Sequence, residues 1–141
     1  MVVEDFFSQV DVLRDLPEDQ QDFLSRFLQA KSYPKNTFIY NPGEEADWVY
    51  FVTAGVVKTG TISEEGKEVI KNILYKGEMF GELGLSGMIE RPDFASSLKG
   101  QVEIVKIPVK ILKDLITRNP EVGLRMIEKL GARITRSEKR L

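Results

Sequence analysis

The stretch Gly81-Glu82-Leu83-Gly84-Leu85 has the residue types and spacing that point most directly to chemistry. Gly81 permits a tight backbone turn, after which Glu82-Leu83-Gly84-Leu85 can open a short helix whose free amides face outward and attract an anion such as phosphate. Glu82, beside those amides, is suited to accept a hydrogen bond from a sugar hydroxyl. Arg91 follows in Glu90-Arg91-Pro92-Asp93; its guanidinium suits a charge-assisted contact to an anion, and its plainer alternative is a solvated loop charge beside Glu90. The absences matter as much. The chain has no His and no Cys, which excludes a thiolate nucleophile, an iron–sulfur cluster, a histidine-based zinc site and an imidazole base near neutral pH. No spacing sets up a carboxylate pair for hydrolysis. The reading is therefore a binding domain and not an enzyme, with no cofactor and no metal.

Three kinds of element must position these residues. Residues 4–30 read as helical, with Phe6, Phe7, Val10, Leu13 and Leu16 at three- and four-residue steps and a restart at Leu16-Pro17-Glu18-Asp19. From about residue 32 to 108, short β-branched and aromatic runs alternate with turn residues, as in an antiparallel β domain. Strands are expected at 37–40, 48–53, 56–62, 68–74, 94–98 and 102–107, with Ser63-Glu64-Glu65-Gly66-Lys67 as a hairpin loop. Phe94 is expected in the core and Trp48 in the core or in surface packing. After Pro108 the helical period returns over 109–119, and Pro120 breaks it before a last helix over 121–141. In that helix Ile127, Leu130, Ile134, Ser137 and Leu141 follow the a/d spacing of a coiled-coil seam. The seam either packs on its own roll or pairs with a second copy, and its position near the chain end favours a homodimer through Ile127, Leu130, Ile134 and Leu141. The chain stops inside this helix with no capping residue, which suggests a fragment.

A formal net charge of −2 gives no whole-domain attraction to nucleic acid or to an anionic membrane. No apolar run is long enough to span a bilayer, and the N-terminus lacks the pattern of a signal peptide. A cytoplasmic protein with no membrane partner is expected.

The glycine-rich segment 74–86 resembles the phosphate-binding cassette of the cyclic nucleotide-binding domain superfamily. Its companions resemble that family too: Asn41-Pro42-Gly43 running into the apolar strand that ends at Gly55, the hairpin Glu65-Gly66-Lys67-Glu68, and the opening Leu13-Arg14-Asp15-Leu16-Pro17. The terminal helix is similar to the dimer helix of bacterial CRP/FNR transcription regulators. The resemblance implies a mostly β fold with flanking helices, a double-stranded β-helix or jelly-roll-like β-roll, with N-terminal helices and a long C-terminal dimerisation helix. It implies an effector domain over residues 1–120 and a dimerisation helix over 121–141. It also implies ligand-binding residues Gly81, Glu82, Leu83, Gly84 and Arg91, and DNA contact only through a domain absent from this chain. The alternative is a stand-alone cyclic nucleotide-binding regulatory module.

One departure bears on the ligand. The family's cyclic nucleotide binders carry an Arg followed by a small residue about ten positions after the cassette Gly-Glu. Here that pair falls on Pro92-Asp93, or on Arg91-Pro92 if the loop is one residue shorter. An Asp carboxylate about 4 Å from a phosphate costs on the order of 4 kcal/mol at an effective dielectric of about 20, before screening. Losing the Arg contact removes roughly another 1.5–3 kcal/mol. The sequence therefore argues against a standard cyclic AMP or cyclic GMP binder. A small organic or anionic effector, or none, remains.

Overall fold

Val49, Tyr50, Phe51 and Val52 are all buried, although successive side chains on a strand point to opposite faces. Such a strand must be covered on both sides. The computed structural model, which describes residues 3–139, shows what covers it. The chain runs through α1 (Val3–Gln9), a 3-10 turn (Asp11–Leu13) and α2 (Glu18–Ser25) into eight strands. These are β1 (Gln29–Tyr33), β2 (Phe38–Tyr40), β3 (Trp48–Ala54), β4 (Val57–Ile62), β5 (Glu68–Leu74), β6 (Met79–Phe80), β7 (Phe94–Ser97) and β8 (Val102–Pro108). Helices α3 (Val109–Arg118) and α4 (Pro120–Lys139) follow. Two four-stranded sheets form, ordered β1-β8-β3-β6 and β2-β7-β4-β5, with every pair antiparallel. This is the β-roll with flanking helices that the sequence implies.

The period of two divides the core. Val49 and Phe51 of β3, with Val105 and Ile107 of β8, lie under the helices among Phe6, Leu13, Leu24, Leu112 and Leu115. Tyr50 and Val52, with Ile104, face the other sheet and join Tyr40, Phe80 and Ala95. Phe6 meets Phe51 edge-on at 5.7 Å between ring centroids, so α1 is fixed on the outer face of the first sheet. Phe94 is fully buried. Trp48 is half-buried, with the Lys106 ammonium 4.0 Å above its ring, a surface packing role.

One expectation changes. The helical reading of 4–30 ends too late: α2 stops at Ser25, and Gln29–Tyr33 is instead β1, registered from Gln29↔Lys106 to Tyr33↔Val102 on β8. Nearly all of β1 is exposed, so no apolar alternation marks it, and its main-chain pairing with β8 overrides the local pattern. The roll thus begins at residue 29 and not near 32. On β5, an edge strand, Val69 and Ile70 are 43% and 46% exposed. Among the described residues, no helix is long and apolar enough to cross a membrane.

Candidate functional site

Beside the glycine-rich turn the roll opens into a cavity of about 970 Å³, large enough for a small organic molecule. Its walls come from the Gly81–Ser86 turn, from β4 and β5, and from α3 and α4. Phe80 and Tyr40 form part of its inner lining, in an aromatic group where Tyr50 and Phe80 stack at 5.0 Å and Tyr40 and Tyr50 lie 5.6 Å apart.

The turn is built by close packing. Gly81 has φ +71°, and a Cβ there would stand 2.9 Å from Tyr50 Cδ1 and 3.0 Å from Arg91 Nη1. Only glycine fits both the left-handed backbone and that space. At Gly84 a Cβ would fall 2.2 Å from the Ala46 carbonyl oxygen, so this glycine seats the turn against the β2–β3 connection. Glu82–Ser86 forms a single five-residue 3-10 turn, too short to carry the anion-attracting dipole that the sequence suggests. Gly81, Glu82 and Leu83 line the cavity; Gly84 and Arg91 do not.

Arg91 is not the solvated loop charge of the plainer reading: it is 2% exposed. Its guanidinium donates to the carbonyls of Gly81 (2.6 Å) and Trp48 (2.5 Å) and lies 4.3 Å from the Tyr40 ring centroid. The main chain delivers it there: Arg91 N–H donates to the Glu44 carbonyl at 2.7 Å, and Gly43 N–H donates to the Arg91 carbonyl at 2.8 Å. The arginine cross-ties the turn to β3, while its Nε is buried without a hydrogen-bond partner.

The groups that do face the cavity are mostly acceptors or apolar. Glu82 accepts from Arg133 Nη1 of α4 at 3.1 Å, while Arg133 Nη2 donates to the Met79 carbonyl at 2.6 Å; both side chains are mostly buried. Asp93 also lines the cavity. Burial pushes its carboxyl up to about 6; the Arg91 guanidinium works against that rise and Glu82 adds to it. Burial likewise raises the Tyr40 phenol. Tyr40 Oη, Asp93 Oδ1, Arg91 Nε and Arg133 Nε are all buried without a hydrogen-bond partner, so acceptors and cationic donors alike await one here.

Sequence reasoning missed Tyr40 and Arg133. The signal for Arg133 is its place seven residues after Met126, on the face where Val122 and Met126 are buried. That face holds α4 on its own roll, with Lys129–Asp11 at 3.0 Å and Arg136–Glu78 at 3.7 Å alongside. The expected seam divides. Leu130 packs against the helix-side core, whereas Ile127 and Ile134 stand exposed at the cavity rim. Ser137 and Leu141 lie outside the described side chains, and Leu141 outside the described residues altogether.

Comparison with known proteins agrees with this geometry. Residues 30–119 match the family model of the cyclic nucleotide-binding domain. The cAMP-activated global transcriptional regulator CRP of Salmonella typhimurium is 32% identical over 112 residues, 79% of this chain and 53% of that protein. The global nitrogen regulator of a Nostoc species is 28% identical over 77% of this chain and 49% of its own length. The chain thus spans about half the length of the curated relatives it matches. In fold it superposes on the Thermus thermophilus catabolite activator protein, with TM-score 0.74 and 24% identity over 92% of this chain and 60% of that one. It also superposes on the sensor domain of the regulator DNR from Pseudomonas aeruginosa, with TM-score 0.76 and 18% identity over 92% and 87%. By the match of most of its length and by its β-roll, the chain belongs to the cyclic nucleotide-binding domain family.

Proposed function

We propose that this chain is the effector-sensing and dimerisation part of a CRP/FNR-like transcription regulator, working in the cytoplasm, and that its effector is not cyclic AMP or cyclic GMP. One observation carries the reading: α4 is itself a wall of the cavity, through Met126, Ile127, Leu130, Arg133 and Ile134. An occupant therefore touches the helix that presents Ile127 and Ile134 to a second copy. In this reading residues 1–120 form the effector domain, α4 is the dimerisation element, and DNA is reached only through a further domain. The CRP relatives, cAMP-activated by name, support the class of output. Arg91 held on main-chain carbonyls and Asp93 on the cavity wall argue against the same effector.

Calorimetry with cyclic AMP and cyclic GMP and sedimentation of the chain test the two halves. No heat is expected at hundreds of micromolar nucleotide, and a dimer is expected at tens of micromolar protein. The pair Ile127→Glu and Ile134→Glu should turn that dimer into a folded monomer. Low-micromolar nucleotide binding, lost in Glu82→Ala, would favour a stand-alone cyclic nucleotide module; a wild-type monomer would remove the dimer.

A further inference from the structure

A second cavity, of about 460 Å³, opens between the Asp11–Leu13 turn, the β5–β6 connection and α4. It is separate from the larger cavity, though Arg133 lines both. Helix α4 meets it with Lys129, Ala132, Arg133 and Arg136, one stripe at helical spacing. Three of these are cations, and Ala132 among them is too small to fill the space they surround. Lys76 joins them from the β5–β6 connection. The chain carries a net charge of −2, yet here four cations face two carboxylates, Asp11 and Glu78. Both carboxylates are already engaged. Asp11 accepts from Lys129 at 3.0 Å, a bond that holds its carboxyl below the ordinary value. Glu78 accepts from the Tyr75 N–H at 3.3 Å and faces Arg136 at 3.7 Å. Among the described residues Lys76 makes no ion pair. Arg133 holds Glu82 and the Met79 carbonyl, and its Nε is buried without a partner. Gln9 Oε1, also unpartnered on this wall, belongs to an amide that offers a donor when turned over.

We propose that this second cavity binds a phosphate group, seated over Ala132 among Lys76, Lys129 and Arg136, with Arg133 behind it. A phosphate carries close to two negative charges near neutral pH and so matches the local excess, of which a carboxylate would meet half. Its oxygens accept charge-assisted bonds from ammonium and guanidinium donors. The anion and Glu82 then compete for one guanidinium.

Inorganic phosphate titrated at pH 7.5 and fixed ionic strength, followed by amide NMR with acetate in parallel, tests this. Phosphate is expected to shift the Gly77 and Ala132 amides saturably below about 10 mM. Acetate should bind about fivefold more weakly, the worth of one unit charge at about 4 Å in water. Ala132→Leu keeps every charge and fills the space, so it should abolish binding. Lys76→Gln should weaken binding about fivefold, and Glu82→Gln, which releases Arg133, should strengthen it. Lys99→Gln, outside the cavity, should change nothing. The amide spectrum of each variant verifies that it is folded. Phenyl phosphate identifies the source: binding tighter than phosphate assigns the site to a phosphate on an organic body lying over Val12 and Met79, and equal or weaker binding assigns it to the free ion. Shifts that do not saturate by about 50 mM, that survive Ala132→Leu, or that acetate matches at equal concentration overturn the proposal.

Discussion

Helix α4 has two long faces that meet different surroundings. Inward, Val122 and Met126 are 1% and 3% exposed, and Arg133 locks onto Glu82 and the Met79 carbonyl. Outward, Leu124, Ile127 and Ile134 are 61%, 67% and 60% exposed, with Gly131 open between the isoleucines. Both faces repeat at three and four residues, so periodicity alone finds two apolar stripes without saying whose core each one serves. The inward stripe is part of this domain's own stability. The outward stripe contributes little to it, and its Ile127 and Ile134 border the cavity.

Met126→Ala is the strongest way to break that contrast: it should cost about 2–5 kcal/mol, read as a lower denaturation midpoint. Ile127→Ala, one residue on, should change the stability of the monomeric fold by no more than about 0.5 kcal/mol. Equal losses at the two positions would mean that both faces are structural. Arg133→Ala comes next. It leaves Glu82 mostly buried without its cation, at about 1–3 kcal/mol. Protection of the α4 amides from hydrogen exchange should fall with it, and Arg133→Lys should restore only part of the loss because the second bond, to Met79, goes.

Asp93 sharpens the comparison from the cavity side. Its carboxyl ionises near 6 in the fold, against an ordinary value of 3.8, so the native state holds its proton more tightly than the unfolded chain. The wild type should lose stability relative to Asp93→Asn as pH rises from about 4 through about 6, by on the order of 1 kcal/mol after allowance for partial exposure. Arg91, Glu82 and Tyr40 are the other titratable or charged groups around it. Denaturant melts of both proteins across that range should diverge upward in pH and converge below it. A small effect of opposite sign is expected at Gly131, where a Cβ would meet nothing within 4 Å. Gly131→Ala should stabilise the fold by about 0.5–1 kcal/mol through helix propensity, seen as a small rise in Tm.

Much of the fold is legible in the sequence because its strands advertise themselves. Trp48–Ala54 and Val102–Pro108 are rich in β-branched and aromatic residues, and Leu16-Pro17 marks where α2 begins. The strand β1 is not legible, since its exposed residues owe their conformation to β8, some seventy positions away in the chain. The site divides in the same manner. Gly81 and Glu82 stand out by type, and Asp93 by being the wrong residue for a phosphate site. The direction of Arg91 does not show, because it is set by carbonyls 10 and 43 residues distant. Gly84 is conspicuous in the sequence for an outward role, yet its absent side chain serves the contact with Ala46.

Because β3 contributes Tyr50 and Val52 to the roll interior and Val49 and Phe51 to the layer beneath the helices, the domain has no seam along which it could come apart in stages. Tyr50 and Phe51 are neighbours in the chain. Tyr50 stacks on Phe80 in the roll interior while Phe51 meets Phe6 under the helices, so this one strand joins the two layers. Heating should dismantle both layers in a single transition, with the amides of β3 the last to exchange with solvent.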